Sequence, residues 1–313
     1  MEVKQVDERL ERARASLEGL AVGDAFGGCF FTIRHDFVDE FIAARGLLAP
    51  PWYYTDDTLM ALSVYSNLRQ YGPSGRIDQD RLARSFAARY DLGRGYGPNM
   101  HGVLRAIGEG MPWDTVASAQ FGGQGSYGNG AAMRVAPLGA YFADDLDRVV
   151  EQARRSAEVT HAHPEAIAGA IAVAVAAAWA TRLRGAEQPP SKEQFLDLVL
   201  PLVPHSEVRS RIRRARELEL SGSIWAAVDA LGNGLEVSAQ DTVPFVLWCA
   251  AQHLDSYEDA LWLTASGLGD VDTTCAMVGG IVACYGGVEA IPAAWRSSLE
   301  PLPDWHEREH DAP

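Results

Sequence analysis

The sequence predicts an all-α fold in one domain, and three observations predict it. No stretch sustains the period-two alternation of β-branched residues that marks a half-buried strand. Apolar residues recur instead at three- and four-residue spacings along most of the chain. The breaks between periodic segments are short and rich in Gly and Pro, with no linker and no repeat of fixed period.

Taken in order, the first helix is expected over 7–23 and the second over 57–70, where Gly72-Pro73 stops it. Helices over 78–90 and 99–110 are separated by the stretch from Gly93 to Pro98. Two more follow over 145–160 and 165–184. The second contains the most apolar run of the chain, Ala166 to Ala180, which is Ala-rich and shorter than the ~20 residues of a membrane span. It reads as a helix buried on all sides. Pro189-Pro190 separates it from a helix over 191–202, and helices over 205–220 and 223–231 come next, the latter closed by Gly232 to Gly234. The last three are expected over 241–252, 256–265 and 273–285. Two segments, Gly27 to Pro51 and Phe121 to Gly130, are too long and Gly-rich to be simple turns, and long loops in compact helical domains are usually functional. Residues 1–300 make the domain, with the polar, Pro-punctuated stretch from Pro301 to Pro313 as a peripheral tail.

Composition narrows the partners. At 313 residues, 47% hydrophobic and 22% charged, the chain has the profile of a globular protein with length enough to bury a core. The excess of 42 acidic over 27 basic side chains gives a net charge of −15, which disfavours nucleic acid and anionic membrane surfaces. Cys29, Cys249, Cys275 and Cys284 lie in apolar surroundings without a CxxC pair and read as free thiols of a reducing compartment. The charged start, Glu2, Lys4, Asp7, Glu8 and Arg9, has no signal-peptide pattern, so a cytoplasmic location is expected.

Four segments carry chemistry. Thr55-Asp56-Asp57-Thr58 opens an amphipathic helix, and a Thr cap with acidic residues in the first turn is sufficient to account for it alone. Gly267-Leu268-Gly269-Asp270-Val271-Asp272-Thr273-Thr274 offers more than a cap needs: two carboxylates and two hydroxyls after two glycines. On an extended approach to the helix, Asp270 and Asp272 would point the same way. If the two segments meet, four carboxylates share one site, a charge that two divalent cations would balance. An all-oxygen donor set suits Mg²⁺, then Mn²⁺ or Ca²⁺, and not zinc. The third segment, Gly122 to Arg134, satisfies G-x-G-x-x-G at Gly123, Gly125 and Gly128. With no preceding strand it is no dinucleotide fold. Its small residues before a helix would let backbone N–H groups approach an anion such as a diphosphate, or would make a flexible loop. The fourth, Thr160-His161-Ala162-His163-Pro164, offers two imidazoles for a metal or for loop hydrogen bonds.

In this order the segments resemble the ADP-ribosylglycohydrolase family, which includes the dinitrogenase reductase-activating glycohydrolases and the ADP-ribosylarginine and ADP-ribosylserine hydrolases. The matching stretches are Gly19 to Gly27, Thr55 to Thr58, Gly128 to Arg134, Thr160-His161, and Gly269 to Thr274 through Gly280. The resemblance implies a single compact orthogonal multi-helix bundle with a centre of two Mg²⁺ (or Mn²⁺) ions. It carries over Thr55, Asp56, Asp57, Asp270, Asp272 and Thr273 as metal ligands, with Asp56, Asp57 or Asp270 as general base. Ser126, Tyr127, Gly128, Asn129, Gly130, Ala131, Met133 and His161 carry over as contacts to ADP-ribose. The implied activity is hydrolysis of the bond at the distal ribose of an ADP-ribosylated protein or small molecule, arginine-linked in first place. The family's flap glutamate falls on Phe31, with Asp36, Asp39 and Glu40 the nearest acids. That departure leaves two alternatives: a hydrolase of a small ADP-ribose conjugate, or a non-catalytic ADP-ribose-binding member.

Overall fold

Three glycines spaced four residues apart, Gly19, Gly23 and Gly27, place a side-chain-free stripe along one face of the first helix. In the computed structural model, which describes residues 2–219 and 223–307, that stripe organises the fold. Sixteen α-helices follow one another among the described residues. The first eight are α1 (Glu2–Cys29), α2 (Val38–Ala43), α3 (Asp56–Tyr71), α4 (Gln79–Ala88), α5 (Pro98–Gly108), α6 (Trp113–Gly123), α7 (Ala136–Tyr141) and α8 (Leu146–Glu158). The others are α9 (Pro164–Leu183), α10 (Lys192–Val199), α11 (Glu207–Glu217), α12 (Trp225–Leu231), α13 (Ala239–Gln252), α14 (Tyr257–Ser266), α15 (Val271–Gly286) and α16 (Ala293–Ser298). The only extended pairings among these residues are two isolated bridges, Trp52 with Leu299 and Gly128 with Ser238.

The glycine stripe of α1 lies directly on α15. A Cβ on Gly19, Gly23 or Gly27 would collide with the carbonyls of Gly279, Cys275 and Val271 respectively. The close contact explains why α1 runs to Cys29, past the end expected from sequence. Each glycine costs a helix about 1 kcal/mol relative to alanine, and backbone-to-backbone packing against α15 offsets it. Beside this pair sits α9, whose Ala-rich surface is buried on every face against α7, α8, α13 and α15. At 20 residues α9 is long and apolar enough to cross a membrane by length and composition alone, so it is longer than the run read from sequence. Its burial at the centre of the bundle is what the sequence anticipated.

Four helices were not anticipated: α2, α6, α7 and α16. α6 is short and ends in Phe121-Gly122-Gly123, whose left-handed backbone breaks it; α7 and α16 have only six residues each. Part of the expected Gly27 to Pro51 loop is also helical, in the end of α1 and in α2. The helix expected over 205–220 is α11 and stops at Glu217; Leu220 lies outside the described residues. Of the expected tail, 308–313 also lies outside them. Before it, Trp305 sits under the Arg89 guanidinium and His306 is buried beside Tyr65, so 304–307 packs on α3 and α4. All four cysteines are free, three of them buried.

Candidate functional site

Caps decide what the two acidic segments do. Thr55 caps α3, its hydroxyl accepting from the Asp57 N–H at 3.3 Å. Asp270 occupies the cap position of α15 but makes no side-chain cap bond. Its Oδ2 accepts instead from Asn129 Nδ2 at 2.7 Å, so the carboxylate is turned away from its own helix and toward the glycine-rich loop. The chain reaches it through Leu268 and Gly269, both with positive φ. Asp272 is already in the first turn of α15, so the pair does not lie on an extended approach as expected; the cap bend at Asp270 sends both carboxylates into one cavity.

The two segments meet. Thr273 Oγ1 donates to Asp57 Oδ2 at 3.4 Å, joining the starts of α3 and α15. A third contributor, Asp24 on α1, was not singled out from sequence. It is fully buried and accepts from the Thr55 N–H at 2.9 Å, the Thr55 hydroxyl at 2.8 Å, and the Thr58 N–H at 3.1 Å. The Thr55 hydroxyl also lies 2.9 Å from Asp57 Oδ2. Oxygens of Asp24, Asp57 and Asp272 come within 4.8 Å of one another, a spacing that could hold a metal ion. The one sequence signal that points to Asp24 is its place as the single charge between Leu20 and Cys29, an otherwise apolar, Gly-rich stretch.

Electrostatics follow from that crowding. Burial first, then neighbouring carboxylates, push Asp56 up to about 7. Burial lifts Asp24 to about 6, although hydroxyl and amide donors oppose it. Burial and like charges hold Asp57 and Asp272 well above the usual carboxylate range, and burial also raises Asp270. The nearest buried cation is Arg134, a single guanidinium against five carboxylates. Asp57 Oδ1 is buried without a hydrogen-bond partner. An unpaired buried carboxylate oxygen among uncompensated acids is a donor set for hard cations.

Beside this cluster lies a cavity of about 440 Å³. Asp56, Asp270, Asp272 and Thr273 face it from the acidic side. Ser126, Tyr127, Gly128, Asn129, Gly130, Met133 and His161 face it from the loop side. Thr55 and Asp57 sit beneath the acidic wall and Ala131 is buried under the loop, so these three do not line it. The loop wall is fixed by Asn129 N–H donating to Val237 O at 3.3 Å and Ala239 N–H to Tyr127 O at 2.9 Å. Its second loop, between α12 and α13, contributes Glu236 and Val237, and Val237 has a positive φ of 51°. A β-branched residue there is strained, which is common at functional sites. Exposed Phe121, also at positive φ, stacks on Tyr127 with ring centroids 5.8 Å apart. Glu236 and Gln120 were missed as site residues because nothing local distinguishes them from ordinary surface, and Phe121, though it opens the flagged Phe121 to Gly130 segment, was not named as a contact. Phe31 is 60% exposed and does not line the cavity; nor do Asp36, Asp39 or Glu40.

His163 is accounted for structurally, since its Nδ1 accepts from the Glu165 N–H and caps α9. His161 is buried at the cavity wall, and burial with the nearby Arg134 charge pushes it down to about 3.

Comparison with known proteins fits this geometry. The family model described as ADP-ribosylglycohydrolase matches residues 5–312. The chain belongs to the ADP-ribosylglycohydrolase family. Human ADP-ribosylhydrolase ARH3 is 31% identical over 338 aligned residues, covering 93% of this chain and 90% of the human protein. The protein of the same name from Xenopus tropicalis is also 31% identical, covering 96% and 95%. Among solved structures, an ADP-ribosylglycohydrolase-related protein complex superposes with a TM-score of 0.61 at 25% identity over 94% of each chain. The all-α architecture expected of the family is therefore the one observed.

Proposed function

We propose that this chain is a metal-dependent hydrolase of the glycosidic bond at the distal ribose of an ADP-ribosylated substrate. The observation that carries the reading is the junction of an acidic wall and a glycine-loop wall around one cavity. Thr55, Asp56, Asp57, Asp270, Asp272 and Thr273 would hold two Mg²⁺ or Mn²⁺ ions, with Asp24 bracing Thr55 and Thr58 beneath them. The unpaired Asp57 Oδ1 and the excess of carboxylates support that fit. Such ions polarise bound oxygens and ease ionisation of water at neutral pH.

The chain's own residues divide the remaining work. Of the three candidate bases, Asp57 lies beneath the cavity and Asp270 is engaged by Asn129, which leaves Asp56 facing the cavity as proton acceptor from water. The Phe121–Tyr127 pair offers a flat apolar surface for a base, and the loop backbone suits a diphosphate. Binding these remote parts positions the reacting carbon. Arginine is the first linkage to test, because exposed Glu236 at the cavity complements a guanidinium leaving group.

The test is a substrate panel of arginine-, serine- and O-acetyl-linked ADP-ribose, followed by ADP-ribose release with Mg²⁺ and Mn²⁺. Release from the arginine-linked member with either ion supports the whole reading. Release from the O-acetyl conjugate alone favours the small-conjugate alternative. A second reading, a non-catalytic ADP-ribose binder, is favoured by the absence of a carboxylate at Phe31. It gains if ADP-ribose binds and no substrate turns over.

A further inference from the structure

His161 sits at the end of a chain of hydrogen bonds that starts at a buried charge. Arg134 is fully buried, its guanidinium carbon 4.4 Å from the Phe86 ring centroid. Its Nη2 donates to Ser156 O at 3.1 Å and to Thr160 Oγ1 at 2.9 Å. Thr160 Oγ1 is 2.7 Å from His161 Nδ1. Gln120 Nε2 pins the same residue by donating to Thr160 O at 2.7 Å.

The donor inventory then leaves little freedom. Arginine has no acceptor, so Thr160 Oγ1 must accept from it. The oxygen could accept twice, but its single proton needs an acceptor, and among the described residues His161 Nδ1 is the acceptor within its reach, so Nδ1 accepts. A neutral imidazole whose Nδ1 accepts carries its hydrogen on Nε2. That nitrogen faces the glycine loop, where a Cβ built on Gly128 or Gly130 would lie 3.3 or 3.1 Å from it. An imidazolium would instead aim a second donor at Thr160 and bury a second positive charge beside Arg134.

We propose that Arg134, acting through Thr160, locks His161 in the tautomer with its hydrogen on Nε2, making the ring a fixed N–H donor to the cavity. Arg134 and Thr160 are positioning residues in this arrangement. The lock also removes His161 from the metal donors, because a nitrogen that carries hydrogen has no lone pair to give. The expected partner is an acceptor oxygen of the ligand, a point that rests on the ADP-ribose reading; the tautomer itself does not.

The full chain labelled with ¹⁵N-histidine tests it by two-bond ¹H–¹⁵N spectra, with His161→Asn identifying the signal among the eight histidines. The wild type should show Nδ1 unprotonated and Nε2 protonated. Thr160→Val, which keeps the shape and removes the hydroxyl, should mix the tautomers, and Thr160→Ser should restore the pattern. With Mg²⁺ present, ADP-ribose should bind Thr160→Val about tenfold more weakly and Thr160→Ser within about twofold of wild type. A wild-type ring protonated on Nδ1 overturns the lock, as does an unchanged spectrum in Thr160→Val. Should Thr160→Val fail to fold, the wild-type spectrum alone decides. The expected spectrum without ADP-ribose binding would support the lock and overturn the ligand reading.

Discussion

The acidic wall and the loop wall of the cavity handle buried polarity differently. On the loop side a run of buried groups is tied together by hydrogen bonds and carries one cation: Arg134 with Ser156 and Thr160, Thr160 with His161, Asn129 with Thr242 and Asp270. On the acidic side Asp24, Asp56, Asp57, Asp270 and Asp272 crowd together, and Asp57 Oδ1 has no partner. A wall cross-linked by hydrogen bonds holds its shape for a ligand, whereas a wall of like charges without counter-charge is strained and could hold cations. The difference teaches that stability and function should respond with opposite signs on one side and with the same sign on the other.

The largest effect should come from Asp57→Asn. Activity should fall by at least about a thousandfold, and the Mg²⁺-dependent rise in melting temperature should vanish. Without metal the same variant should melt a few degrees higher than wild type, roughly 2–5 °C, because it relieves repulsion. Melting curves in EDTA and in Mg²⁺ check both halves, and a metal-free variant less stable than wild type would break the contrast. Gly23→Ala comes next. Its methyl meets the Cys275 carbonyl, so about 2–4 kcal/mol of stability should be lost in urea unfolding, with or without metal.

The pH dependence sharpens the same contrast. A carboxylic acid with a folded pKa above its unfolded value holds its proton more tightly when folded. The contribution of Asp56 and Asp24 to metal-free stability should therefore fade as pH rises from about 4 towards 7. His161, pushed down to about 3, works the other way and costs stability as pH falls below about 6.5. Saturating Mg²⁺ should flatten the first slope and leave the second, as read from melting temperature against pH.

Smaller effects are expected at the loop surface. Phe121→Ala should weaken ADP-ribose binding by about 1–2 kcal/mol in calorimetry while leaving the Mg²⁺ response intact. Glu236→Gln should slow release from arginine-linked substrate by only about three- to tenfold and spare the serine-linked one, a ratio that rate measurements on both substrates would expose.

Much of this was legible in the sequence, and the gaps have physical reasons. Long helices with clear punctuation, such as α3, α8 and α9, appear within a few residues of their expected bounds. Asp270 to Thr273 was readable as a site segment because it holds more acid than a cap requires, whereas Thr55 to Thr58 alone reads as a capped helix start and gains meaning only when paired with it. Their meeting was not readable, since it depends on contacts between residues 216 apart, such as Asp57 and Thr273. Asp24 was hidden for another reason. A lone charge in an apolar helix looks like a solvent-facing residue until its helix is known to be buried on that side. Glu236 and Phe121 reach the cavity through left-handed backbone at Val237 and Phe121, conformations that neither residue type favours.

The glycine stripe of α1 has a consequence for how the site can vary. Asp24 and Asp272 ride on two helices whose separation is set by glycines of one lying against the backbone of the other, with only the Ala283 methyl between them at Gly19. The distance between these carboxylates is thus insulated from repacking elsewhere in the core, where a changed methyl group shifts neighbouring helices by fractions of an ångström. Ordinary drift of the surrounding hydrophobic residues can proceed without retuning which ion fits. Tolerance and intolerance to mutation are thereby divided between the core at large and three positions on one helix face.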